Sequence, residues 1–509
     1  MAACKSLLHF VKHRSLWTHV RRNVTTWSPV GAAFNAKHHK RLNVLEKNVG
    51  LFGVPELSCP AGFKAATETA LKNTQRLVDR ACSGPPGVQT VESFDQLSDT
   101  LCKVADLADF IKVAHPDPVF REAAEKACIE IGTVVEKLNT NVDLCKSLKI
   151  LLENPEIVAQ LDPDTRRVAE LFLFDFEISG IHLDDKLRKE AVALHVKLLD
   201  LNNEFLVGSH QPNRIARSAI PEHLHLHFAD EGSFIQVGGL HADSPDDLVR
   251  EIAYRIFLYP NADLMECLEE LLKCRYKLAT LVGYESYGHR ALKGTMAKTP
   301  ETVMSFLQLL TDKLSDSVFF YLIVSQELMP WDHPYLSGVL RILIHTFQWK
   351  LYCFSFIIRF VQAELRIVGT ELLLFLLLFP VQIFYAVLDQ IYHSQPQNRS
   401  TTDVLKEMQQ KFYGLPYTPN TAWQLRFSHL IGYGAKYYSY LMSRAVASMV
   451  WKQCFVQDPL NRDMGERYRR QMLAHGGAKE PMLMVEGNLP CYFFPKMLFL
   501  FFFFFNINP

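Results

Sequence analysis

The chain is paced by threes and fours. FKAATETALKNTQRLVDRAC (63–82), FDQLSDTLCKVADLADFIKVA (94–114) and FREAAEKACIEIGTVVEKL (120–138) each return an apolar residue at those intervals. That spacing keeps one face of an α-helix dry. Helical sequence continues to about Leu328 and returns in TTDVLKEMQQKFYGL (401–415), AKYYSYLMSRAVASMVWKQCF (435–455) and RDMGERYRRQMLAHGG (462–477). A chain so patterned is expected to be mainly α. Asp164 or Thr165 is predicted to cap a helix through RRVAELFLFDFEISG, and Asp184 to cap KLRKEAVALHVKLLDLNNEFL. Pro and Gly punctuate the joins at Pro85-Pro86-Gly87 and Pro155, and no fixed repeat period recurs. At 509 residues the chain is too long for one compact core and long enough for two or more lobes.

One stretch breaks the helical rhythm. HLHLHFADEGSFIQVGG (223–239) alternates His223, His225 and His227 with Leu224 and Leu226, a strand period. Asp230–Glu231–Gly232 is predicted to turn the chain before Phe234 and Val237, giving a small β-hairpin. Three histidines on one strand face suit either a metal or water. No carboxylate or fourth ligand accompanies them at a recognised spacing, so the solvated face is the reading adopted.

Charge excludes some partners. Lys+Arg and Asp+Glu balance at 54 each, which gives no general attraction to nucleic acid or anionic lipid. Eleven cysteines are scattered without a CxxC pair or a zinc-ribbon spacing, as expected of free thiols in a reducing compartment. The N-terminus differs from the rest. Residues 1–45 contain no Asp or Glu but carry Lys5, Lys12, Arg14, Arg21, Arg22, Lys37, Lys40 and Arg41. Leu7, Leu8, Phe10, Val11 and Trp17 would line one side of a basic helix. This is the composition of a mitochondrial transit peptide, or else of a basic tail for an acidic partner.

Two segments are apolar without amphipathic order. ILIHTFQWKLYCFSFIIRFVQAELRIVGTELLLFLLLFP (342–380) is rich in Phe, Leu and Ile. Its longest uncharged run, 372–388, is shorter than the ~20 residues of a spanning helix and holds Pro380, so no membrane span is expected. The tail 488–509 ends in five consecutive phenylalanines and reads as low complexity.

HLIGYGAKYYSYL (429–441) carries the densest chemistry. Gly432 and Gly434 flank Tyr433, and Tyr437 and Tyr440 are spaced to share one face of a helix starting near Ala435. His429, Tyr433, Tyr437 and Tyr440 would then face one cleft. The residues alone fit a tyrosine-rich packing face equally well.

FSHLIGYGAKYYSYLMSRAVASMVW resembles the matching segment of the thimet-oligopeptidase family of zinc metallopeptidases. FGVPELSCPAGF, FDFEISGIHLDDKLR, ELMPWDHPYLSGV, FYGLPYTPNTAWQLRFSHL and MLAHGGAKEPMLMVEG are similar to that family as well, most closely to its mitochondrial member. The resemblance covers roughly 51–341 and 381–487. It implies a mainly α, two-lobed, thimet-oligopeptidase- and neurolysin-like body with a channel between the lobes and zinc on its floor. It also implies cleavage of extended peptides; for the mitochondrial member, removal of octapeptides from imported precursor proteins in the matrix. By the same resemblance His429, Tyr437 and Tyr440 face the substrate and its oxyanion, while Gly432, Tyr433 and Gly434 form a mobile substrate loop.

The family's metal motif is missing. A zinc peptidase of this kind needs HExxH on a helix: two histidines one turn apart as ligands and a Glu to activate water. None of the nineteen histidines is followed by Glu. His223 and His227 have the interval, but Leu224 stands where Glu belongs, and 342–380 offers only His345, Glu364 and Glu371. That segment occupies the place of the family's zinc helix, and no metal ligand set is found. The expectation is a catalytic lobe left incomplete by alternative splicing, a gene-prediction error or genuine loss, with hydrolysis abolished. The alternative is a non-catalytic helical protein that binds peptide, and a monomer is expected in either case.

Overall fold

In a computed structural model, residues 50–315, 328–339, 341–342 and 379–488 are described. The expected transit peptide (1–45), nearly all of the apolar segment (342–380) and all but the first residue of the tail (488–509) lie outside them. The chain divides into two compact units, Met1–Phe63 and Lys64–Pro509. In the first, single 3-10 turns at Leu51–Gly53 and Pro55–Ser58 precede the start of helix α1 (Ala61–Ser83). A Cβ on Gly62 would stand 1.5 Å from the Glu56 carbonyl oxygen, so only glycine fits there.

The described residues of the second unit are mostly helical. α2 (Val88–Ala114) and α3 (Pro118–Leu138) pack together, followed by α4 (Val142–Leu152), α5 (Pro163–Ile178) and α6 (Asp185–His210). The buried positions of α2 include Val91, Phe94, Leu97, Leu101, Ala108 and Ile111, the three-and-four spacing read from the sequence. Phe94 meets Phe172 and Phe176 of α5 at ring separations of 5.3 and 6.2 Å. Asp184 caps α6 as expected, accepting from the Lys186 and Leu187 amides. The cap of α5 is Asp162, not Asp164 or Thr165, because Pro163 takes the first helical position and leaves the capping role to its predecessor.

Three short strands follow: β1 (Asn213–Ala216), β2 (Ala229–Glu231) and β3 (Phe234–Val237), antiparallel in the order β1-β3-β2. The hairpin is present, with Asp230 opposite Ile235 and Glu231 opposite Phe234, but β1 adds a third strand on the far side of β3. Glu222–His227 is a 3-10 helix rather than a strand. His225 explains part of this difference. Its Nδ1 accepts from Arg217 Nε at 3.2 Å, leaving Nε2–H to donate to the Ile220 carbonyl at 2.7 Å, so the ring folds the chain back on itself. Ile235 and Val237 turn inward onto Val249 and Ala253 of α7 (Asp247–Phe257).

α8 (Ala262–Leu281) lies along α6, with α9 (Tyr287–Leu292) and α10 (Pro300–Ser315) beyond it. The largest core cluster gathers α6, α8, α10 and the helix over 379–392, α11. α11 buries Phe379, Ile383, Phe384, Ala386, Val387 and Leu388, as a helix apolar on nearly every side must. α12 (Thr401–Met408) is capped by Ser400 and runs through a π-helical turn to Gly414, left-handed at φ 79°. The last helices are α13 (Ser439–Val450), α14 (Arg462–Gln471) and α15 (Pro481–Asn488). The mainly helical class and the small hairpin are therefore as expected. All cysteines among the described residues are free, with Cys145, Cys267 and Cys274 buried. No helix among them is long and apolar enough to cross a membrane.

Candidate functional site

The site is assembled by α11 and the turn that leads into α13. Asp389 and Gln390 at the end of α11 and His393 just beyond it are polar residues that are all at least nine-tenths buried. Each makes hydrogen bonds that offset its burial, although Gln390 Oε1 accepts none. The Asp389 carboxylate accepts the amides of Ala435 and Tyr437, both at 3.0 Å, and Gln390 Nε2 donates to the Ala435 carbonyl at 2.6 Å. His393 Nδ1 lies 3.1 Å from Asp389 Oδ1. On the far side Arg275 of α8, also buried, donates to His393 Nε2 at 2.7 Å and to the Ile431 carbonyl at 2.9 Å. An Nε2 that accepts forces the imidazole proton onto Nδ1, toward α11.

These contacts correct the expected local structure. Ala435 does not begin a helix: its φ is 65°, a left-handed conformation that ends the turn after the single helical turn His429–Gly432. α13 starts at Ser439, so Tyr437 lies ahead of it and Tyr440 in its first turn. Neither Gly432 nor Gly434 has positive φ. Gly434 is needed for space instead, because a Cβ there would lie 2.9 Å from Arg275 Nη1. The expected mobile loop is thus held at both ends by buried side chains.

The rings nevertheless converge. His429 lies 5.5 Å from Tyr433, 5.2 Å from Tyr437 and 5.9 Å from Tyr440, and Tyr437 and Tyr440 are 5.1 Å apart. Behind them Phe427, Tyr385 and Trp423 form an aromatic wall, with Tyr385 stacked on Trp423 at 4.3 Å. Exposure is graded across the cluster. Tyr437 is 7% exposed, Tyr440 37% and Tyr433 41%, so the outer hydroxyls reach solvent while the inner ring is packed.

Electrostatics fix the protonation. Burial, with Tyr440 nearby, pushes the Tyr437 phenol up to about 12. A hydrogen bond with Tyr433 raises Tyr440. Burial lowers His429, opposed by Asp389. Near neutral pH the cluster therefore offers phenol O–H donors and a neutral imidazole with one donor and one acceptor. That chemistry orients carbonyl oxygens and stabilises charge developing on them.

Among the described residues no group of three or more His, Cys, Asp or Glu side chains stands together as a metal site, and the polar cluster at this site, Asp389–His393–Arg275, spends its hydrogen bonds on protein groups. The residues that sequence reasoning missed are those that build this cluster. The visible signal was DQIYH, an Asp and a His four apart on an otherwise apolar helix.

Comparison with known proteins adds ancestry to this geometry. The family model described as peptidase family M3 matches residues 240–373 and 366–491, in two pieces that meet inside the apolar segment. The chain is 46% identical to mitochondrial intermediate peptidase of Homo sapiens over 651 residues, covering 92% of this chain and 91% of that protein. For the Mus musculus protein of the same name the identity is 44%, covering 91% of each. Those 651 aligned positions outnumber the 509 residues of this chain, so the human protein has a long stretch with no counterpart here. Among solved structures, oligoendopeptidase-F from Enterococcus faecium aligns with a TM-score of 0.49 at 12% identity, over 87% of this chain and 94% of that one.

Proposed function

The chain belongs to peptidase family M3, and on that premise we propose that it holds extended peptides of imported precursor proteins in the mitochondrial matrix without cutting them. The peptide contacts are His429, Tyr437 and Tyr440, with Gly432, Tyr433 and Gly434 carrying the outer edge of the site. Phenol and imidazole donors bind backbone carbonyls, and the aromatic wall behind them keeps the donors in place. Zinc is the family's metal. This sequence has no HExxH and the described residues supply no substitute, so the family's hydrolysis is not assigned to this chain. Nucleic acid and membrane are not among its partners, and it acts as a monomer.

The observation that carries this reading is the convergence of His429, Tyr433, Tyr437 and Tyr440 within ring distances below 6 Å, half of them open to solvent. The test is zinc content, peptide cleavage and peptide binding, measured on the same purified chain. A fluorescent precursor-like peptide is expected to bind saturably, with no cleavage and no stoichiometric zinc. Tyr440→Phe is expected to weaken binding about threefold to tenfold, the worth of one hydrogen bond. Stoichiometric zinc with chelator-sensitive cleavage overturns the non-hydrolytic reading; absence of binding overturns the peptide reading.

A further inference from the structure

We propose that Asp389 is the positioning residue of the tyrosine site: by gathering two backbone amides onto one buried carboxylate it holds the turn that sets Tyr437 and Tyr440 beside His429. The proposal rests on the peptide-binding reading for its functional consequence but not for its geometry.

Three observations lead to it. Ala435 sits at φ 65° with no exposed surface. A non-glycine residue in that region stores strain and persists only where its surroundings over-determine it. The restraints are present. The amides of residues 435 and 437 converge on Asp389 in the manner of a small anion nest whose anion is internal, and Gln390 holds the carbonyl between them. Asp389 is in turn tied to His393: Arg275 sets the tautomer whose Nδ1–H donates to the Asp389 main-chain carbonyl at 2.7 Å, with Nδ1 3.1 Å from Oδ1 of the carboxylate. Arg275 also binds the Leu430 and Ile431 carbonyls, so one network holds the segment before Gly432 and the segment after Gly434.

Tyr437 follows directly from this hold. Its amide is one of the two that Asp389 accepts, so the backbone that aims the ring is pinned at the residue itself. A residue serving only general stability would not act so locally.

Hydrogen exchange on the full chain, resolved to single amides, tests the idea beside peptide affinity. In Asp389→Ala the amides of Ala435 and Tyr437 are expected to exchange at least about tenfold faster, while those of α6 and α8 are unchanged. Asp389→Asn keeps one acceptor and turns a donor toward the other amide, so one of the two is expected to stay protected. Peptide affinity should fall in the same order. Should neither variant fold, Gln390→Met releases only the Ala435 carbonyl and is expected to speed exchange at residues 435 to 437. Unchanged protection of both amides, or acceleration shared equally by α6 and α8, overturns the proposal. If the wild-type chain binds no peptide while these amides still respond, the positioning role stands and the peptide-binding reading falls.

Discussion

Gly434 and Gly432 look alike in the sequence, one on each side of Tyr433, yet their surroundings differ. A Cβ on Gly432 meets nothing within 4 Å, whereas one on Gly434 would meet Arg275 Nη1 at 2.9 Å, Arg275 Cζ at 3.1 Å and Tyr287 Cε1 at 3.2 Å. Arg275 is committed to buried acceptors and lies 5.1 Å from the centroid of the Tyr287 ring, so it has little freedom to yield. Gly434→Ala is therefore expected to cost about 1–3 kcal/mol, as small-to-large changes in packed sites do. Gly432→Ala should be neutral or slightly stabilising. Denaturant midpoints of the two variants measure the contrast, and equal midpoints would refute the crowding argument. The glycine pair was legible as a special feature of the chain. Which member mattered, and that the left-handed residue would be Ala435, depended on a guanidinium more than 150 positions away in the sequence.

Among the elements, the periodic helices were read correctly because their spacing is a local property. α1, α2 and α3 all appear where apolar residues recur at threes and fours. Helix starts were read less well. Asp184 was found, but for α5 the choice passed over Asp162, which accepts the Asp164 and Thr165 amides at 3.0 Å and the Thr165 hydroxyl at 2.6 Å. Asp162→Ala is expected to lower stability by about 1 kcal/mol, and Asp164→Ala by only a few tenths through the helix dipole. Thermal or denaturant unfolding of the two single variants separates them; a larger loss from Asp164→Ala would sink the assignment. The strand expected at His223–His227 failed for a different reason. Alternation of His and Leu fixes a period only if the backbone is extended, and the Arg217–His225–Ile220 contacts favour a tight turn. α13 likewise begins later than its sequence suggests, since Asp389 holds residues 435 and 437 in a non-helical turn.

For the whole molecule, buried ionisable groups set the response to acid. His195 of α6 lies between Glu136 of α3, at 3.2 Å, and Arg290 of α9, at 3.5 Å. Burial, aided by Arg290, lowers its imidazole from 6.5 to about 3. The folded chain therefore refuses a proton that the unfolded chain accepts below 6.5. This contribution is complete above pH 6.5 and is lost as the pH falls toward about 3, at up to about 1.4 kcal/mol per pH unit. His429 acts in the same direction. Glu136 acts in the opposite one: burial raises its carboxyl, so it takes up protons ahead of the unfolded chain and offsets part of the loss at lower pH. The clean window is from pH 6.5 down to about 5. The chain is expected to be less stable at pH 5.5 than at 7.5, with the slope reduced in His195→Gln. An unchanged slope in that variant would place the titration elsewhere.

The sequence by itself determined the mainly helical class, the hairpin near Asp230, the residue cluster from His429 to Tyr440 and the lack of HExxH. Each is a matter of residue identity and short spacing, which a linear reading retains. The tertiary structure decided how that cluster is held. The left-handed turn at Ala435 is held by contacts that join residues far apart in the chain: the anchoring of residues 435 and 437 by Asp389, the closeness of Arg275 to Gly434 and the stacking of Tyr385 on Trp423 behind His429. Local propensity favoured helix at Ala435. It was overridden because two buried amides gain more from one desolvated carboxylate than from a helical turn.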